Sequence, residues 1–335
     1  MAGAEEELLT ELRRVRASGR RTPDFFIVGH AKCGTTALYE MLQAHPQIYM
    51  PAIKETQFLS RALHYREQPH AGPATVRPRT LDAYLSLFAP AAPEQNAGEA
   101  STDYLRTLAT APRIAALQPD ARIVAIFREP VSFLSSLHLQ LLQVGIETES
   151  DFATAMELEQ ERSEGRKVPR RSGWPPALMY SQHVRYVDQL RSYHDCFGRE
   201  RVLVLIYDDF RRENEGAVRQ VQRFLEVDDS LEIQRAEANP TVRVRSRRAE
   251  RMLHSVSVGR GPVSVAAKTA MKALTSERLR RGALRAVKRV VVEKEPQPPD
   301  ERVTQALRRR FKGEVVAASE YLGRDLVSLW GYDEV

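Results

Sequence analysis

Lys32, Gly34, Thr35 and Thr36 fall within five consecutive positions, with Cys33 between the lysine and the glycine. Those residue types suit one task, the holding of a phosphate-like anion. Lysine supplies a point charge, the threonines supply hydroxyl donors, and glycine lets the backbone come close to a ligand. Gly29 and Gly34 have the glycine spacing of the G-x-x-x-x-G-K-[ST] phosphate loop, yet Thr35 follows Gly34 and the lysine lies inside the loop. That displacement argues against an ordinary ATPase or kinase. A second cation, Arg128, is followed eight positions later by Ser136. The planar fork of an arginine can bind two phosphate oxygens at once.

The elements that must position these groups are legible in the apolar pattern. Residues 25–30 are aromatic and β-branched and read as a buried strand. Thr35 to Ala44 carries Leu38, Met41 and Leu42 at helical spacing, and His45-Pro46 closes that helix. A strand, a tight loop and a helix start place free N–H groups and the positive end of a helix dipole at the loop. Arg122 to Phe127 is predicted as a second buried strand, with a helix following through Leu142. Val202 to Tyr207 is predicted as a third, with a helix near Glu215 to Leu225. Short apolar strands alternating with helices predict an α/β domain, a central parallel sheet flanked by helices. In such a sheet ligands bind beyond the carboxyl ends of the strands, so Arg128 belongs on the same rim as Lys32. Gln68–Thr80 and Arg162–Pro176 are rich in proline, glycine and charge and read as loops, the second a candidate wall of a substrate pocket.

Taken together, these runs resemble the sulfotransferases that use 3′-phosphoadenosine 5′-phosphosulfate (PAPS), in their bacterial, carbohydrate- and heparan-type branch. The Lys32 loop is similar to the family's 5′-phosphosulfate loop, which implies donor contacts from Lys32, Cys33, Gly34, Thr35 and Thr36. The run from Phe127 to Ser136 resembles its 3′-phosphate element, which implies Arg128 and Ser136 as ligands. Pro51-Ala52-Ile53-Lys54-Glu55-Thr56-Gln57-Phe58-Leu59 resembles the family's Lys-Glu-x-x-Phe-Phe run, with Phe58-Leu59 in place of Phe-Phe. It implies Glu55 as the base for an acceptor hydroxyl, with Lys54 beside it and Lys32 on the leaving oxygen. His30 and His138 are the alternative bases, because other branches use a histidine. Asn239-Pro240 and the alternating Arg243, Arg245 and Arg247 resemble a basic run that closes over the nucleotide, and an extended segment would put those arginines on one face. Glu99-Ala100-Ser101-Thr102-Asp103-Tyr104 resembles the acceptor-pocket run, but Ala100 stands where a lysine is common, which argues against a heparan-like polysaccharide. The resemblance implies a P-loop-kinase-like fold, PAPS as donor, 3′-phosphoadenosine 5′-phosphate (PAP) as product, and no metal. The acceptor would be a hydroxyl on a sugar, a lipid or a small natural product.

Composition bounds the remaining possibilities. The chain has 335 residues, 42% of them hydrophobic, enough for one large core. Residues 1–22 read as a charged N-terminal extension and 23–335 as the catalytic domain. The absence of a signal core or an apolar run of ~20 residues, and a count of only 2 cysteines, point to a cytoplasmic setting. Residues 241–290 carry net +12 of a total of +6, so positive charge is concentrated late in the chain. That segment could meet an anionic membrane surface through a helix near Ala266 to Val292, at the inner face of the membrane. It has no aromatic residue, which argues against nucleic acid. The rival readings are a kinase-like phosphotransferase and a membrane- or nucleic-acid-binding protein acting through the basic segment.

Overall fold

The computed structural model describes residues 2–67, 77–169, 172, 175–233, 243–244, 292–293 and 300–335. Five parallel strands form one sheet: β1 (Phe25–Ile27), β2 (Ile48–Tyr49), β3 (Asn96–Ala100), β4 (Arg122–Phe127) and β5 (Val202–Ile206), in the order β2-β3-β1-β4-β5. Phe25 pairs with Gly98 on one side and with Arg122 on the other, so β1 is central. Phe25, Phe26 and Ile27 are fully buried, as a parallel strand covered on both faces requires.

Helices cover both faces. The first set is α1 (Ala2–Ala17), α2 (Thr35–Gln43), α3 (Phe58–Glu67), α4 (Leu81–Leu85), α5 (Thr110–Leu117) and α6 (Pro130–Gln143). The chain continues through α7 (Phe152–Glu157), α8 (Glu159–Ser163), α9 (Tyr186–Phe197), α10 (Tyr207–Arg212) and α11 (Asn214–Phe224). A long helix, Glu301–Leu322, buries Leu307, Phe311, Val315 and Ala318 along one stripe against α6 and α9. Asp300 caps its start and Gly323, in the left-handed region, ends it. Among the described residues no helix is long and apolar enough to cross a membrane.

The sequence-based elements agree closely with these boundaries. The predicted first strand stops at Ile27, although Val28 still donates to the Val124 carbonyl at 2.9 Å. The third strand ends at Ile206 because Tyr207 already opens α10. The charged segment at residues 1–22 is built mainly as α1, docked on α5 and α3. Leu8 and Leu12, one turn apart, are buried there, and burial of each contributes roughly 1.5–3 kcal/mol. Glu5 clamps Arg113 with two bonds of 2.8 and 2.6 Å.

The Arg162–Pro176 stretch begins inside the fold. Arg162 lies on α8, buried, and its guanidinium makes paired contacts of 2.7 and 2.8 Å with the buried carboxylate of Glu147. Burying a charge requires such a partner, and Glu147 supplies it from well upstream. The predicted membrane-facing helix near Ala266 to Val292 lies, but for Val292, outside the described residues.

Candidate active site

The loop from Gly29 to Gly34 leaves the carboxyl end of central β1 and enters α2. Gly29 runs against β4 so closely that a Cβ there would sit 2.6 Å from the Ile126 nitrogen. Lys32 at φ 64° and Gly34 at φ 85° both take the left-handed conformation and turn the chain into the helix. Gly34 is the N-cap of α2, with no side chain capping the helix. The first helical bond runs from the Leu38 N–H to the Gly34 carbonyl at 3.1 Å. The N–H groups of Thr35, Thr36 and Ala37 therefore have no acceptor within the helix. Thr35 is buried and Thr36 half-buried beside them.

Arg128 reaches this loop from the end of β4. Its Nη1 donates to the Lys32 carbonyl at 2.8 Å, while Nε and Nη2 donate to the Ser132 hydroxyl at 3.1 and 2.5 Å. Its guanidinium lies 4.7 Å from the centre of the Tyr207 ring, and the Tyr186 hydroxyl donates to its carbonyl at 2.6 Å. Glu129 caps α6 by accepting from the Val131 and Ser132 N–H groups, so the Arg128–Ser132 pair sits on a fixed helix start. Ser136 is buried one turn beyond Ser132 on the same helix. The Lys32 ammonium has its pKa pushed down, first by burial and then by the positive charge of Arg128. Two cations held together on an uncapped helix start make a site that an anion would relieve.

Lys54 and Glu55 approach from the other side. The Glu55 N–H donates to the Ala100 carbonyl at 2.9 Å, and Glu55 stands at φ 60°. One carboxylate oxygen accepts from Lys54 Nζ at 2.8 Å. The other accepts from the Thr102 N–H at 3.0 Å and from its hydroxyl at 2.9 Å. The same ammonium reaches the Thr35 hydroxyl at 3.4 Å. Glu55 is thus linked through Lys54 to the first residue of α2, and its side chain keeps 24% of its surface accessible. It is oriented and reachable, the two requirements of a general base.

The histidines have other surroundings. His30 is buried among Phe133, Tyr186 and Phe127, with ring centres 4.8, 5.7 and 6.3 Å away, and its Nε2 pairs with the Gln189 amide oxygen at 2.9 Å. Burial pushes its pKa down to about 3, against a smaller upward effect of the Gln189 bond. His138 is also buried, with Nδ1 at the Tyr180 hydroxyl and Nε2 at the Ser150 carbonyl, at 2.9 and 3.3 Å. Both rings are spent on the interior. Cys33 is buried as well, with its thiol pushed by burial up to about 12, so its side chain fills space in the loop.

Arg243 pairs through its backbone in a short antiparallel ladder with Glu293. The Arg243 side chain, together with Arg245 and Arg247, lies outside the described residues. Two contacts were missed by sequence reasoning. Ser132 holds the Arg128 fork, and its i+4 spacing from Arg128 could have shown it. Thr102 holds Glu55, and only the parallel pairing of β2 with β3, continued by the Glu55 N–H to Ala100 carbonyl bond, reveals it.

A strand, an uncapped glycine turn and a helix at the centre of a parallel sheet, with a second cation from the next strand, define a P-loop-like anion-binding α/β protein. Within that class the chain belongs to the sulfotransferase family, whose profile matches residues 23–230. Human carbohydrate sulfotransferase 15 is 32% identical over 155 residues, covering 36% of this chain and 27% of that protein. Human heparan sulfate glucosamine 3-O-sulfotransferase 6 is 32% identical over 123 residues, covering 37% and 32%. The matched stretch therefore spans about a third or less of these curated relatives. The crystal structure of a sulfotransferase from Alicyclobacillus acidocaldarius superposes with a TM-score of 0.64 at 27% identity, covering 92% of this chain and 99% of that one.

Proposed function

We propose that this chain transfers the sulfuryl group of PAPS to an acceptor hydroxyl. The observation that carries the reading is the chain of contacts Glu55–Lys54–Thr35, which sets a reachable carboxylate beside the start of α2. The residues present fit the donor. The Lys32-to-Thr36 loop would hold its 5′-phosphosulfate on free N–H groups and hydroxyls, with Cys33 and Gly34 contributing backbone. Arg128, with Ser132 and Ser136 on α6, would hold its 3′-phosphate. Arg243, Arg245 and Arg247 would cover the nucleotide.

The donor supplies an SO₃ group bonded to a phosphate oxygen. Glu55 accepts the proton of the acceptor hydroxyl as the new O–S bond forms, and Lys54 and Thr102 keep that carboxylate aimed. Lys32 offsets the charge left on the phosphate oxygen when the old S–O bond breaks. The products are a sulfate ester and PAP, with no metal needed for charge balance. The names of the two human relatives support a sugar hydroxyl as acceptor. The net +12 of residues 241–290 supports contact with an anionic membrane surface, where a lipid-linked acceptor would be within reach.

The test is calorimetric titration with PAP, ADP and ATP in magnesium-free buffer. Tight PAP binding that needs the 3′-phosphate and weakens in Arg128→Ala is the expected result. Equal affinity for ADP would sink the reading and return the loop to the generic phosphate-binding class.

A further inference from the structure

The residue that places Glu55 is itself out of reach of any substrate. Glu99 ends its side chain in the core under β3, with 1% of its surface exposed. One carboxylate oxygen accepts from the Thr56 hydroxyl at 2.7 Å and from the Ser101 hydroxyl at 2.6 Å. The other accepts from the Tyr84 hydroxyl at 2.9 Å. No cation pairs with it in these contacts, so its desolvation is offset by hydroxyl donors alone, an expensive arrangement for a core position.

Those donors are not scattered. Thr56 is the residue after Glu55, and Ser101 precedes Thr102, which holds the Glu55 carboxylate. The Ser101 hydroxyl also accepts from the Gln57 N–H at 3.0 Å. Tyr104, on the same side, takes the Leu59 N–H at 3.1 Å and lies 3.3 Å from the Thr56 hydroxyl. Glu99 therefore ties together both strands of chain that meet at Glu55. Glu55 and Gln57 stand at φ 60° and 52°, a conformation that non-glycine residues keep only where their surroundings over-determine it.

We infer that Glu99 is a positioning residue: its buried carboxylate anchors the 55–57 turn through Thr56 and Ser101 and so aims Glu55 at the acceptor. This rests on the reading of Glu55 as the proton acceptor. A buried carboxylate serves here better than an amide or an apolar group, because one oxygen can accept from two hydroxyls while the other is held by Tyr84.

The experiment compares Glu99→Met, which removes the acceptors at similar volume, with Glu99→Gln, which keeps an oxygen for Thr56 and Ser101. Thr56→Val stands in should Glu99→Met fail to fold, and Tyr84→Phe removes only the bond to the other carboxylate oxygen while leaving a ring to stack on Phe58. Three readouts are taken: amide hydrogen exchange of residues 55–59 against β4, PAP affinity, and release of PAP from PAPS with water as acceptor. In Glu99→Met and Thr56→Val, exchange at the Glu55 and Gln57 amides should rise about tenfold or more, as expected for loss of hydrogen bonds to a charged group. Turnover should fall by a similar factor with PAP affinity kept. Glu99→Gln should restore most of both, and Tyr84→Phe should lower the melting temperature without raising exchange at 55–59. Wild-type exchange at those amides in Glu99→Met or Thr56→Val overturns the anchor. Raised exchange together with full turnover in Glu55→Gln sinks Glu55 as the base and leaves the anchor standing.

Discussion

Arg128 donates a hydrogen bond to the backbone carbonyl of Lys32 at 2.8 Å, so one cation of the site fixes the backbone of the other. The contact holds a lysine at φ 64° and brings two positive side chains to one loop. Arginine suits this place because its fork serves the Lys32 carbonyl and the Ser132 hydroxyl at once, while its face lies on Tyr207.

Arg128→Lys should therefore fail as a conservative change. A lysine keeps the charge but cannot span both oxygens, and each hydrogen bond lost to a charged group costs about 1.5–3 kcal/mol. PAP affinity should drop about 10- to 100-fold, with Ser132→Ala giving a smaller loss in the same direction. Calorimetry reads both. Full affinity in Arg128→Lys would mean that charge alone is used.

Gly34 has no tolerable substitute. It stands at φ 85°, and a Cβ there would meet the Phe210 ring at 2.8 Å. Gly34→Ala combines the left-handed penalty of about 1–2 kcal/mol with a ring that must shift on α10. Melting temperature should fall by several degrees, and PAP binding should be lost out of proportion to the stability change, since the same turn presents the N–H groups. Thermal unfolding and titration on one preparation separate the two effects.

The proposed site residues are legible in the sequence because phosphate binding and proton transfer call for particular residue types. Arg128 meets the Lys32 loop on one rim of the sheet, as the strand pattern predicts, and β4 and α2 follow their apolar patterns. The supports were hidden for physical reasons. β3, Asn-Ala-Gly-Glu-Ala, has no β-branched residue, and its strand character comes from pairing with β1 and β2. The resemblance puts Glu99 in an acceptor-pocket run, but the hydroxyls of Thr56, Tyr84 and Ser101 enclose its carboxylate in the core. Arg162 falls in a stretch that reads as a loop because its partner, Glu147, is fifteen residues upstream, with α7 between them. Long-range satisfaction of buried polar groups leaves no local pattern.

Cys33 should be inert in the native protein. Its thiol is buried and held up to about 12, so almost no thiolate exists at pH 8. Iodoacetamide should leave Cys33 unmodified in the folded state and alkylate it after denaturation, while half-exposed Cys196 provides the internal comparison. Rapid native labelling at Cys33, read by peptide mass, would show that the loop opens on the labelling timescale.

His30 should make the fold acid-sensitive without taking part in proton transfer. Its pKa is lowered from 6.5 to about 3, chiefly by burial, so protons bind the unfolded chain first. The stability this neutral ring contributes is present above pH 6.5 and is lost as pH falls from 6.5 toward 3, at up to about 1.4 kcal/mol per pH unit. His183, 6.5 Å away between ring centres, is also held neutral by burial and acts in the same direction. The His30→Asn protein should be less stable at pH 7 yet lose stability less steeply between pH 6.5 and 4.5. Its denaturation curves across that range should converge on those of the wild type. Parallel loss in the two proteins would mean that the ring does not titrate with folding. A variant of His30 that folds but loses the acid limb of turnover would instead give this histidine the proton-accepting role assigned to Glu55.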